Sequence, residues 1–425
     1  MEHYDILVAG AGCAGLCAAL QASRLLGPGR VCLVEKNGLC GGTATAGGVN
    51  FPGIFHAWKR QVIAGIGWDL ILQTRRECGN PLPEHLLQLD TSTVSHTMFH
   101  IPIDPMVFAC ISDEWLAEAG TVLKYHTMLG AVQRQNGSYR VTLCGKDGLY
   151  DVEAQLLIDC TGDANLAKMA GAQLNVPEEC QPGTYSCHAT GYDLSQLDLS
   201  DIQQEYEKAV AEGKLAFMDS GWGVGFSPAF LTKHGDNANH VPGINAADSE
   251  GRTRLEIAGR ASLMRMFRFL KRQKGFENLE FKPIASECGV RESRTIQGIQ
   301  TVTAGDYVSG RLFEDAVCYS FYPIDLHDKK LGLDKRQLQP GCVPTVPLGA
   351  LIPKGLNGFL AAGRIISSDR LANSALRVQA TCMATGQAAG AAAALAAMHQ
   401  CEPSSVNLDE LRSTLRTHHA IVPEG

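Results

Sequence analysis

The sequence lacks the markers of several common architectures. No C-x-x-C pair occurs among its 15 cysteines, so zinc ribbons and thioredoxin-type motifs lose their usual signature. At 15 in 425 residues, cysteine is also too sparse for a disulfide scaffold, and the expectation is reduced, mostly buried thiols. No Gly-x-y period accompanies the 45 glycines, which excludes collagen. No charge-free apolar run of 18 residues appears, apart from an alanine- and glycine-rich stretch near the C-terminus, which reads as a buried helix packed on a sheet before a membrane span. The start, Met1-Glu-His-Tyr-Asp5, has no basic n-region, so a cytoplasmic protein without a secretory signal is expected. With 37 basic against 44 acidic side chains, a nucleic-acid partner is disfavoured. What remains is an ordinary globular composition, 45% hydrophobic and 19% charged, long enough for two or three domains.

The positive signals begin at the N-terminus. Tyr4 to Ala9 reads as a buried parallel strand, Gly10-Ala-Gly12-Cys13-Ala14-Gly15 as a turn, Leu16 to Leu26 as a helix, and Arg30 to Glu35 as a second strand. This is a complete βαβ unit around G-x-G-x-x-G with an acid 20 residues after Gly15. The residue types suit a dinucleotide. Gly10 allows the tight turn, Gly12 lets backbone approach a pyrophosphate, and Gly15 permits close helix–strand packing. The helix start offers free N–H groups and a positive dipole end to phosphates. Glu35, followed by Lys36, can accept from a ribose and would repel a 2′-phosphate, which favours FAD or NAD over NADP.

Further motifs separate these two. Gly41-Gly42-Thr43-Ala44-Thr45-Ala-Gly-Gly48 follows the second strand. Leu156-Leu-Ile-Asp159-Cys-Thr161-Gly162-Asp163-Ala164, Gly289-Val-Arg291-Glu292-Ser-Arg294, Tyr322-Pro-Ile-Asp325-Leu-His327-Asp328, Ala362-Gly363-Arg364-Ile, Leu376-Arg377-Val378 and Cys382-Met-Ala-Thr-Gly386-Gln-Ala-Ala-Gly390 come later. On these motifs the chain, from Tyr4 to about Met398, resembles the bacterial FAD-dependent oxidoreductase family within the glutathione reductase/fumarate reductase-like flavoproteins. The resemblance implies an α/β fold. A Rossmann-like FAD-binding domain, a parallel sheet with helices and a β-meander, would come from residues 1–50, 100–184 and 340–400. An inserted α+β substrate or cap region would take 51–99 and 185–339, and 401–425 would form a tail. It also implies non-covalent FAD held by the glycine turn with Cys13 and Ala14, by Glu35 and Lys36, and by the Gly41–Thr45 segment. Leu129 would lie near the adenine, Thr161, Gly162 and Asp163 near the pyrophosphate, and Gly363, Arg364, Leu376, Arg377 and Val378 would complete the site. The helix start near Leu376–Val378 would face the flavin N1–C2=O edge.

Absences narrow the chemistry again. No redox cysteine pair follows the Gly-Gly segment, against thiol–disulfide exchange. No second nucleotide-binding unit is evident; Gly221-Trp-Gly223-Val-Gly225 reads as a loop. Residues 41–50 contain no histidine for covalent flavin attachment, although His56 is near. Four groups are catalytic candidates. Arg291 and Arg294 have the guanidinium fork for a carboxylate substrate, or form an internal lock with Glu292. His327, flanked by Asp325 and Asp328, could move a proton near neutral pH, or be a buried structural histidine. Arg377 could reach flavin or substrate. His56, His96 and His100 are lone histidines on candidate substrate-side loops.

The expected activity is hydride transfer between flavin N5 and a small organic substrate, anionic if the arginines bind a carboxylate. Alternatives are an electron-carrying subunit with a redox protein partner, and an RNA-modifying flavoprotein. The last rests only on residues 251–274, where Leu255, Ala258, Met264, Phe267 and Leu270 alternate with eight Lys/Arg; a solvated face is the simpler reading.

Overall fold

A computed structural model describes residues 1–84, 100–221, 226–328 and 332–424. His96, the Trp222–Gly225 run and the Asp328 side chain therefore lie outside the described residues.

The apolar N-terminal run forms the strand Glu2–Ala9, every residue from Ile6 onward fully buried or nearly so, as a parallel strand covered on both faces must be. Five parallel strands lie in the order Val122–Lys124, Val31–Val34, Glu2–Ala9, Gly148–Asp159, Phe359–Ala361. The fourth is 12 residues long and serves two purposes. Its first half closes an antiparallel meander with Ser138–Gly145 and Met128–Gln135. Its last three residues, Leu157 to Asp159, pair with Phe359–Ala361. The turns thus collect at the carboxyl ends of the strands, where open α/β sheets bind ligands.

The helix Cys13–Leu26 carries alanine and cysteine on its buried face. Against it lies the long helix Gln379–His399. It lies on the sheet as expected, against Glu2–Ala9 and Gly148–Asp159, and its closest approach is to the helix Cys13–Leu26. A Cβ on Gly386 would sit 2.1 Å from the Ala14 carbonyl oxygen, and one on Gly390 2.3 Å from that of Ala18. Glycine four residues apart lets the two backbones touch. Gln387, one residue on from Gly386, donates to Gln21 at 3.0 Å and accepts from the Ile66 N–H at 3.0 Å. The helix Ile66–Glu77 joins the same core through Ile66, Trp68, Leu70 and Ile71. Among the described residues no helix is long and apolar enough to cross a membrane.

A second layer has its own core of Tyr206, Phe226, Phe230, Phe269 and Phe276. It contains the three-stranded sheet Gly235–Asp236, Cys187–Thr190, Glu280–Pro283 and the helices Leu199–Ala211 and Ser249–Leu270. Leu199–Ala211 is less exposed than its composition suggests, because Ile202, Tyr206 and Ala209 turn inward. In Ser249–Leu270 the buried apolar positions are Leu255, Leu263, Met266, Phe269 and Leu270, while Met264 is 43% exposed. Several of its arginines are engaged within the protein: Arg265 pairs with buried Asp219 at 2.7 Å, and Arg252 with Glu287 and Glu256 at 3.1 and 3.3 Å.

Candidate active site

One cavity of about 1680 Å³ runs between the sheet's carboxyl edge and the second layer. Ligand pockets usually measure about 300–1,000 Å³, so this one has room for more than a single ligand. Its lining divides into two arms.

The first arm is made mostly of backbone. Gly10, Gly12, Cys13, Ala14, Glu35, Lys36, Gly42, Thr43, Leu129, Thr161, Gly162, Asp163, Gly363, Arg364 and Val378 line it. The first three glycines do different work. Gly10 has φ +91° and its Cβ would lie 2.6 Å from the Cys160 carbonyl oxygen, while a Cβ on Gly15 would lie 1.7 Å from the Gly10 carbonyl oxygen. Those two are required by the fold itself. A Cβ on Gly12 would meet nothing closer than the Gly42 Cα at 4.0 Å. Its absence is unused by packing and leaves the cavity open at the start of a helix that no side chain caps. This fits a pyrophosphate lying against Gly12.

The carboxylate of Glu35 is held by the N–H groups of Ala11 and Asn37, each at 2.8 Å. Burial raises its pKa against the pull of those two bonds. The Gly41–Thr45 segment bridges to Gly12, and the Thr45 hydroxyl donates to the Cys40 carbonyl at 2.6 Å. Asp159, fully buried, accepts from the Thr161 N–H and hydroxyl and from the Ala167 N–H at 2.7–2.9 Å, which sets the Thr161–Asp163 turn. Arg364 bonds Asp163 at 2.7 Å and the Val290 carbonyl. Lys36 pairs with Glu287 of the second layer.

Five of the expected residues do not face the cavity. Gly15 and Leu376 are packing positions, and Gly41, Ala44 and Thr45 shape the Gly-Gly segment from behind. Cys13, Cys160 and Cys382 line the cavity, but burial pushes all three thiols up, Cys382 to about 12. They are protonated at neutral pH and poor nucleophiles.

The second arm is made of side chains. His327 and Asp325 lie on the strand Ile324–Asp328, paired with Gly332–Arg336. Alternation puts residues 325 and 327 on one face, and His327 Nε2 lies 3.2 Å from Asp325 Oδ2. Arg377, just before the long helix, donates to the Asp325 carbonyl at 3.1 Å and to Gln181 Oε1 at 3.3 Å. That same Oε1 accepts from the His327 N–H at 3.2 Å. Arg291 donates to the Pro182 carbonyl at 2.7 Å. Arg294 donates to the Ala247 carbonyl. All but Gln181 reach the cavity.

Electrostatics corrects one expectation. Free imidazole titrates near 6.5, but burial first, and then the Arg291 charge, lower His327 to about 4 despite the Asp325 bond. His327 is neutral at pH 7, with Nε2–H donated to the carboxylate and Nδ1 left as the basic nitrogen. Burial and the Arg377 charge bring Arg291 down to about 9. Burial alone would raise Asp325, but the His327 hydrogen bond and the Arg377 and Arg291 charges outweigh it and keep the carboxyl ionised. The ring of His240, fully buried, stands 4.9 Å from that of His327, and burial and Arg291 hold it well below the ordinary range.

The lock expected between Glu292 and its neighbouring arginines is made with another residue. Glu292 accepts from Arg370 Nε at 2.9 Å and from the Gln181 N–H at 2.8 Å, leaving Arg291 and Arg294 free to line the cavity. Gln181 and Arg370 are parts of this arrangement that no local pattern marks. His100 lines the cavity; His56 is buried beside Trp68, with ring centroids 5.4 Å apart, and does not.

The chain is similar to a geranylgeranyl bacteriochlorophyll reductase-like protein from Thermoplasma acidophilum, with 13% identity over 98% of this chain and 83% of that one at TM-score 0.45. A flavoprotein/dehydrogenase from Cytophaga hutchinsonii matches with 14% identity, the same coverage and TM-score 0.42. The anhydrotetracycline hydroxylase OxyS from Streptomyces rimosus matches over 45% of this chain with 18% identity and TM-score 0.30, and the chain spans only 38% of its length. No curated protein matches. Residues 5–415, nearly the whole chain, match the model described as FAD dependent oxidoreductase; the chain belongs to that family, its cofactor is FAD, and the protein is an oxidoreductase enzyme.

Proposed function

We propose that the enzyme passes a hydride between the flavin N5 and a small anionic organic substrate held in the second arm. The observation that carries this reading is the charge balance there. Arg291 and Arg377 converge on one carboxylate, Asp325, with His327 neutral. Two partly buried guanidiniums against one carboxylate leave a positive excess that an anionic ligand offsets.

When bound, FAD supplies the two-electron step. The chain's residues do the rest. Gly12 with Cys13 and Ala14, and the Thr161–Asp163 turn, would seat the pyrophosphate; Glu35 would accept from the ribose; Leu129 would lie by the adenine. Attachment is non-covalent, in keeping with His56 lying away from the cavity. Arg291 and Arg377 hold the substrate's anionic group, and Arg294 fixes the wall beside it. With bound FAD as the two-electron acceptor, His327 Nδ1 would take the proton that the substrate gives up in the oxidative direction, and Asp325 holds the imidazole in that tautomer. In the reductive direction His327 would return that proton to the substrate.

A single-turnover experiment tests this. Photoreduced holoenzyme should be reoxidised anaerobically by a member of a panel of small unsaturated carboxylates, and Arg377→Met should slow that reaction while FAD stays bound. Reoxidation by a protein partner alone would replace this reading with that of an electron carrier.

A further inference from the structure

Arginines and histidine do not account for the whole second arm. Beside them the cavity wall carries three rings, Phe51, His100 and Tyr322. They stand edge to face in a row: Phe51 to His100 at 5.5 Å and 88°, His100 to Tyr322 at 6.1 Å and 64°. Phe51 and His100 are only half-buried, so packing alone does not explain two rings on a cavity wall.

The row is held in place from behind. The Ile101 N–H donates to the Pro52 carbonyl at 3.0 Å and the Ile103 N–H to the Asn50 carbonyl at 2.9 Å, which ties the segments carrying Phe51 and His100 together. The Tyr307 hydroxyl donates to the Tyr322 carbonyl at 2.8 Å and accepts from its N–H at 3.1 Å. A wall fixed this way loses little freedom when a ligand lies against it.

The wall is uncharged, because burial lowers the His100 pKa. It also runs into the cationic pole. Tyr322 is three residues before Asp325, and burial and the Asp325 charge raise its hydroxyl while Arg377 and Arg291 oppose that rise.

We propose that the substrate carries a flat aromatic or conjugated ring beside its anionic group, the ring laid against Phe51, His100 and Tyr322 and the anion on Arg291 and Arg377. This rests on the proposed function above and narrows it to a substrate class, aryl carboxylates and their close relatives. Ring stacking discriminates flat from puckered bodies of equal size.

The test is flavin difference spectroscopy on the holoenzyme with four probes: benzoate, cyclohexanecarboxylate, acetate and benzyl alcohol. Benzoate should bind about tenfold more tightly than each of the others, in line with one or two good ring contacts. Tyr322→Leu and His100→Leu should bring benzoate close to cyclohexanecarboxylate without weakening acetate. Equal binding of benzoate and cyclohexanecarboxylate, or a preference that survives both substitutions, overturns the ring assignment and leaves the anionic reading standing. Benzyl alcohol binding as tightly as benzoate overturns the anionic reading, as does the absence of any carboxylate response, and the ring assignment falls with it. If a variant loses its flavin, the wild-type ratios alone decide.

Discussion

The two arms of the cavity are built by opposite means. The first arm is mostly backbone, glycine turns and a helix start, drawn chiefly from strand ends of one sheet. The second arm is charged and aromatic side chains, and its members come from segments around residues 51, 100, 181, 291, 325 and 377. Backbone can approach a phosphate closely and tolerates only glycine where it does so. Side chains can carry charge and shift protons, but each must be paired or offset once buried. The first arm is therefore sensitive to volume, the second to charge.

The sharpest way to break this contrast is Gly12→Val. The added Cβ meets nothing closer than 4.0 Å, so the apo fold should survive while FAD retention falls to near zero, measured as flavin stoichiometry and apo melting. A fully loaded variant would mean the pyrophosphate lies elsewhere.

His327→Asn is the counterpart in the second arm. It should leave FAD bound and slow the half-reaction with substrate by about 10²–10⁴-fold, the usual worth of a proton-transfer group. Unchanged single-turnover kinetics would remove His327 from the mechanism.

Third is Gly386→Val, remote from the second arm. With its Cβ 2.1 Å from the Ala14 carbonyl oxygen, it should cost about 1–3 kcal/mol or more. Denaturant midpoints would show this, and a neutral result would contradict the helix–helix contact.

A smaller effect follows from pH. His327 titrates at about 4 in the folded protein and near 6.5 unfolded. Between these values the unfolded chain binds the proton and the native one does not, so stability falls as pH drops from about 6.5 to 4. The buried His240 acts in the same direction. Melting across this range should decline, and the decline should be shallower in His327→Asn.

The smallest effect belongs to Lys36→Met. The Lys36–Glu287 pair crosses from the sheet to the second layer, but Lys36 is 50% exposed, and its loss should change stability by less than about 1 kcal/mol.

The two arms also differ in how much of each is legible in the sequence. The βαβ unit at Tyr4–Glu35 was legible because spacing along one short segment sets its geometry: strand, turn and helix follow one another within a few residues. The same holds for the Asp159–Ala164 turn and for Gly386 and Gly390. The apolar face of Ser249–Leu270 is less legible, since Met264 and Met266 are equally apolar and only the surrounding fold buries the second. Glu292 illustrates the limit. Its sequence neighbours Arg291 and Arg294 suggested a local lock, yet its partner is Arg370, nearly eighty residues away. That displacement is what leaves two arginines on the cavity wall.

By itself, then, the sequence determined the βαβ start, the residue types around a dinucleotide, and the family to which such motifs point, because those features are local. Tertiary structure alone decided that Gln181 is shared by His327 and Arg377, that His327 is neutral at pH 7, and that Phe51, His100 and Tyr322 form one wall. The physical reason is common to all three. Burial and the proximity of charges are set by which distant segments meet, and no spacing along the chain encodes them.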